Sequence, residues 1–210
     1  MKEELLKIKE LKHFMIGYSY GGNQDWFRSY MMRLGGCGAE TACDLSIYLK
    51  MYKGKEEAYS RDTANITRPE YVEFAHEMKK YLWPRMMGID KTSTWISEYG
   101  KYLNDRGVSG IEMHTIEGDA PYAEAEEVFR GQIDKEIPVP CLTLRHKDKT
   151  FGDYNWHWFL LNGYKVVRTG EENRLMVKAV TYSEYEWLDF ERLWNTGYDN
   201  KGGLVLLNVH

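Results

Sequence analysis

Over roughly the first two thirds of the chain, apolar residues recur with a helical period; from Ile137 onward the period shortens to that of strands. Ala39, Ala42, Cys43, Ser46, Ile47 and Lys50 fall on one helical face, widened by Leu45 and Leu49, which predicts a largely buried helix over 37–51. Residues 2–16 alternate charge with Leu5, Leu6, Ile8, Leu11 and Phe14, the pattern of a short helix or of an extended arm leading to a turn at Gly21-Gly22. The polar stretch 53–67 reads as a loop able to border a cleft. Thr67, Pro69 and Glu70 then form a helix start, with Thr67 as cap and Glu70 in the reciprocal position. Tyr71, Phe74, Ala75, Met78 and Leu82 make that helix's apolar stripe, and Pro84 ends it. A third helix is expected over 93–106, stopped by Gly107, then a strand over 111–116 and a fourth helix over 122–136.

The strand-like part begins at Pro138-Val139-Pro140-Cys141-Leu142-Thr143-Leu144, whose prolines place its start at a sheet edge. The run Trp156 to Leu161 follows, closed at Asn162-Gly163 by a turn or bulge. Val166-Val167, 175–182, 185–188 and 204–209 complete the strands, with a short helix near 190–195. Helices first and strands afterwards, with short connections, predict an α+β fold around an antiparallel sheet. The 210 residues fit one domain, with a helical lobe over about 1–136 and a sheet lobe over about 137–210.

Composition narrows the function classes. A net charge of −4 with no basic stripe argues against nucleic acid as a partner. No apolar run is long enough to insert into a membrane, and the N-terminus lacks a signal-peptide pattern. Three cysteines, two of them six residues apart on one helix, make a disulfide framework unlike this chain and suit a cytoplasmic location. His146, Asp148 and Asp153 lack metal-ligand spacing and read as a solvated turn, so neither metal nor cofactor is expected.

The chemistry concentrates at Gly35-Gly36-Cys37-Gly38. Cys37 stands where a helix begins, and unpaired N–H groups and the positive end of the helix dipole favour thiolate there. The flanking glycines permit tight geometry and leave room beside the sulfur. Read alone, a cysteine in that place is equally a small buried hydrophobe. A thiolate nucleophile needs a histidine near in space, and of six histidines His157 is the best placed, at the head of an aromatic core strand.

The two segments Gly35-Gly36-Cys37-Gly38-Ala39-Glu40-Thr41-Ala42 and His157-Trp158-Phe159-Leu160-Leu161-Asn162-Gly163-Tyr164 resemble those of papain-like cysteine peptidases, in particular the branch of bacteriocin-leader-processing (double-glycine) peptidases. The resemblance implies a cysteine-bearing helix packed on an antiparallel sheet that carries the histidine. It also implies a peptide or protein substrate, cleaved through a Cys37–His157 thiolate–imidazolium pair. The chain departs from that pattern twice. The Asp or Asn that should orient the histidine is replaced by Thr181 or Ser183, and the glutamine expected shortly before the cysteine is replaced by Met31 and Met32, leaving Gln24, along with Asn23, as the nearest amide for the oxyanion, which it reaches only if the intervening segment doubles back. Acyl transfer to an amine, or a non-catalytic peptide-binding domain that keeps the fold, are the alternatives.

Overall fold

The computed structural model describes residues 3–84 and 88–210. The described chain runs β1 (Glu3–Glu10), the two-residue strands β2 (Met15–Ile16) and β3 (Ser19–Tyr20), α1 (Tyr30–Gly35), α2 (Cys37–Lys53), α3 (Arg68–Met78), α4 (Thr92–Asp105) and β4 (Ile111–Glu117). After these come α5 (Tyr122–Asp134), β5 (Val139–Thr143), β6 (His157–Thr169), β7 (Glu172–Thr181), β8 (Glu184–Asp189), α6 (Phe190–Trp194) and β9 (Gly202–Val209). The class is α+β. Seven strands form an antiparallel sheet ordered β4-β9-β5-β6-β7-β8, with β1 beside the far half of β6.

The long strand β6 organises this sheet because its side chains serve two cores. Trp158 and Leu160 join the core under α2, α3 and α4, whereas Phe159 and Leu161 join the core under α5 and α6, as alternation along a strand requires. At Asn162-Gly163 the register shifts, so the expected bulge is present. One extra residue changes the phase, and Tyr164 rather than residue 163 continues the second face. Gly163 also lets β1 approach, since a Cβ there would stand 2.9 Å from the Lys9 carbonyl. Val166-Val167 is therefore the distal half of β6 and no separate strand.

Helix α2 is buried from Cys37 to Leu49 on all sides, more completely than an amphipathic stripe implies. It lies on β6, with α3 packed against it. The capping box of α3 forms as expected, Thr67 and Glu70 satisfying each other's backbone N–H groups. That helix ends at Met78, before Leu82, which is nonetheless buried.

Of the two readings of the amphipathic arm the extended one is present, and the edge position expected for β5 is not. The amphipathic arm is β1 over 3–10, and Lys2 lies outside the described residues. Its Leu5, Leu6 and Ile8 remain exposed, so backbone pairing with β6 holds it rather than side-chain burial. With β1 and β4 in the sheet, the sheet draws on both parts of the chain. Strand β5 is interior, between β9 and β6, although β9 pairs only Cys141 to Thr143. Pro140 thus meets a ladder on one side alone. Beyond that point the Gln132 side chain takes over, bonding both the N–H and the carbonyl of Leu207 on β9.

Candidate active site

Cys37 is the first residue of α2 and 5% exposed. Gly36 makes the tight junction with α1 possible: its N–H reaches the Met32 carbonyl at 2.8 Å, and a Cβ would overlap that same carbonyl. Gly38 does not leave open space. Trp95, Ile89 and Trp158 fill the volume beside it, and the Trp95 indole donates to the Gly38 carbonyl at 2.9 Å. The cysteine therefore sits against the inner core.

His157 opens β6 and is 3% exposed. Its Nε2 lies 2.8 Å from Thr181 Oγ1 at the end of β7, so Thr181 takes the orienting position. The Tyr182 ring lies parallel to the imidazole, with centroids 5.0 Å apart and planes inclined by 3°. Ser183 does not join them. It sits in the turn after β7, where its hydroxyl and its N–H both reach the Gly22 carbonyl.

The sulfur of Cys37 is 4.0 Å from the Trp156 carbonyl, and the Trp158 backbone N–H favours its thiolate form. Cys37 is thus placed against the peptide units that flank His157. Among the described residues no hydrogen bond joins the sulfur to the imidazole, and the ionisation runs opposite to the sequence expectation. Burial pushes the Cys37 thiol up to about 11, outweighing the backbone N–H groups of Trp158, Gly38 and Cys37 that favour thiolate. Burial also lowers His157 to about 4. Burial thus favours the neutral thiol at Cys37 and the neutral imidazole at His157.

The chain does double back from Gln24. Its side-chain N–H donates to the Arg33 carbonyl at 2.9 Å, near the end of α1, which leaves one amide hydrogen uncommitted and its Oε1 buried without a partner. No hydrogen bond links Gln24 to Cys37 among the described residues. Sequence reasoning missed Glu40 and Asp44, buried carboxylates at one and two turns past Cys37. Their signal was acidic residues set within an otherwise apolar helix. The His13 side chain, in the segment between β1 and β2, is fully buried, 3.6 Å from Asp44 and stacked on Tyr20. His146 is satisfied locally, by the Arg192 carbonyl and the Asp148 N–H.

A cavity of about 560 Å³ lies against α1 and α3 and touches neither Cys37 nor His157. A smaller cleft, about 320 Å³, lies at the end of β7, lined by Thr181, Tyr182, Tyr154, Asp153, Glu184 and Glu186 among others, and neither His157 nor Cys37 lines it. Trp156, half-exposed before His157, carries a positive φ of 54°, while Trp158 is wholly core, so of these two tryptophans only Trp156 is available to a substrate. No helix among the described residues is long and apolar enough to cross a membrane. No protein-family model matches this chain, and no curated protein or solved structure matches it.

The depressed His157 has a measurable consequence for folding. Between its ordinary value of 6.5 and about 4, the unfolded chain binds a proton that the native state refuses. The stability present above this window is lost as pH falls through it. Between about pH 7.5 and pH 4.5, wild type should lose about 2 kcal/mol more than His157→Gln in urea unfolding. An identical pH dependence for the two proteins would show that His157 is not held neutral by burial.

Proposed function

We propose that this chain is a papain-like thiol hydrolase that cleaves peptide or amide bonds, with Cys37 as nucleophile, His157 as base and acid, and Thr181 as the residue that orients the imidazole. The observation that carries this reading is the placement of the Cys37 sulfur 4.0 Å from the carbonyl of Trp156, the residue before His157, while Thr181 holds one ring nitrogen of that histidine. With Nε2–H donated to the Thr181 hydroxyl, Nδ1 is left as the basic nitrogen.

The pair starts neutral, so the thiolate forms in the reaction and not before it. Substrate binding turns the S–H from the Trp156 carbonyl toward His157, which takes the proton as sulfur attacks the carbonyl carbon. The oxyanion meets the Cys37 backbone N–H, one of the unpaired donors at the helix start, and the uncommitted amide hydrogen of Gln24. Collapse expels the amine, protonated by His157, and leaves a thioester on Cys37. Water, deprotonated by His157, then releases the acid. An amine entering at that last step would give acyl transfer through the same thioester.

A second reading, a peptide-binding domain without catalysis, is favoured by the neutral thiol of Cys37, whose hydrogen bond goes to the Trp156 carbonyl and not to His157. Digestion of a peptide library by wild type, read as new termini by mass spectrometry, separates the two. Thiol-dependent cleavage is expected; retention of peptides by the folded protein with no new termini would overturn the hydrolase reading.

A further inference from the structure

Helix α2 carries more than the nucleophile. We propose that Glu40 and Asp44, on the same helix as Cys37, position the imidazole of His157 by gripping the turn between β7 and β8, whose Tyr182 ring lies on it. The inference rests on the hydrolase reading for its consequence in rate but not for its geometry.

That turn is unusual in its residues. Thr181 and Glu184 close the ladder, so Tyr182 and Ser183 form a two-residue connection with φ of 51° and 67°. A turn with both φ positive ordinarily takes Asn-Gly, because a Cβ is disfavoured in the left-handed region. A tyrosine and a serine persist there only if their surroundings hold them. Three contacts do so. The Tyr182 N–H donates to Glu40 Oε1 at 3.3 Å. The Ser183 N–H donates to the Gly22 carbonyl at 2.8 Å, and the Ser183 carbonyl accepts from the Tyr20 N–H at 2.8 Å.

Gly22 is itself fixed by α2. Its N–H lies 3.2 Å from each oxygen of Asp44, whose Oδ1 also accepts from the Tyr71 hydroxyl at 2.7 Å. A Cβ on Gly22 would overlap that hydroxyl, so only glycine lets the segment lie so close. Glu40 and Asp44 are one turn apart and each almost wholly buried. They grip the same turn, one directly and one through Gly22. What they hold in place is the Tyr182 ring, parallel to the imidazole. Nucleophile and base are therefore referred to one rigid helix, although they lie 120 residues apart in the chain. Neither Glu40 nor Asp44 touches the reacting atoms; both are positioning residues.

The test combines kinetics with the proton resonance of the His157 ring, recorded on protein with labelled histidine and assigned by its loss in His157→Gln. Tyr182→Leu removes the ring current and should move the His157 Cε1 proton downfield. Glu40→Met keeps the side-chain length but removes the acceptor for the Tyr182 N–H. It should move the resonance in the same direction and lower kcat about 10-fold with little change in KM. Glu40→Gln retains a carbonyl oxygen and should restore both. A folded Glu40→Met with the wild-type resonance, or a Glu40→Gln as impaired as Glu40→Met, would overturn the proposal. If Glu40→Met fails to fold, Glu40→Gln and Tyr182→Leu still decide, because a resonance that moves in Glu40→Gln or stays in Tyr182→Leu contradicts it. Wild type without turnover would defeat the hydrolase reading, while the resonances would still report on the grip.

Discussion

Cys37→Ala and His157→Ala are each expected to lower kcat/KM for peptide cleavage by about 1,000-fold or more, while Thr181→Val lowers it by roughly 10-fold to 100-fold and Ser183→Ala leaves it nearly unchanged. The ranking follows from contact. Cys37 supplies the bond-forming atom, and without His157 a thiol pushed up to about 11 has no route to thiolate near neutrality. Thr181 contributes a hydrogen bond of 2.8 Å to one ring nitrogen. Its loss disturbs tautomer and orientation but spares the basic nitrogen. Ser183 meets only Gly22 and Tyr20, so its hydroxyl has no role in the chemistry. Kinetics on the four variants, each checked for folding by circular dichroism, would measure this order. A Ser183→Ala defect as large as that of Thr181→Val would show that the orienting residue has been misassigned.

The largest expected loss of stability comes from Trp158→Ala, about 3–5 kcal/mol. Trp158 is 1% exposed and stacks on Trp95 with ring centroids 5.3 Å apart. Its indole N–H donates to the Ile89 carbonyl at 2.6 Å, so truncation empties a large volume and also strands a buried acceptor. Trp158 follows His157 and its ring packs against Gly38, so the cavity would open beside the first turn of α2. Trp158→Phe keeps most of the stacking volume and should cost much less. Urea unfolding midpoints for the two variants would check this, and equal midpoints for wild type and Trp158→Ala would contradict the packing described.

The helices were legible in the sequence because each buries a stripe at helical spacing and has its own end signals, as at Thr67 and Glu70. The pairing of His157 with Thr181 was legible as well, as one of two hydroxyl candidates on the strand that follows. Short elements without a periodic stripe were not. The six-residue helix α1, Tyr30–Gly35, has no side-chain bond at its cap, and only Met32 within it is buried. Strand β1 keeps its apolar residues in solvent, so its pattern could not distinguish helix from strand. The break between the strands expected over 175–182 and 185–188 was legible, but the turn at Tyr182-Ser183 lacks glycine and asparagine, so nothing announced its positive φ angles. Partners distant in sequence hid the roles of Glu40 and Asp44, which meet Tyr182 and Gly22. The ionisation of Cys37 was misread for a related reason. Helix-start N–H groups are a local feature visible in the sequence, whereas the burial that outweighs them is contributed by the whole fold.

The account turns on a thioester forming at Cys37. Intact-mass measurement after mixing the protein with an activated peptide ester, quenched at early times and followed by peptide mapping, tests it most directly. One acyl group per chain should appear on Cys37, decay in wild type as the acid is released, and be absent from Cys37→Ala. Acylation spread over lysines and Cys141, with Cys37 unmodified in the folded protein, would contradict the proposed function.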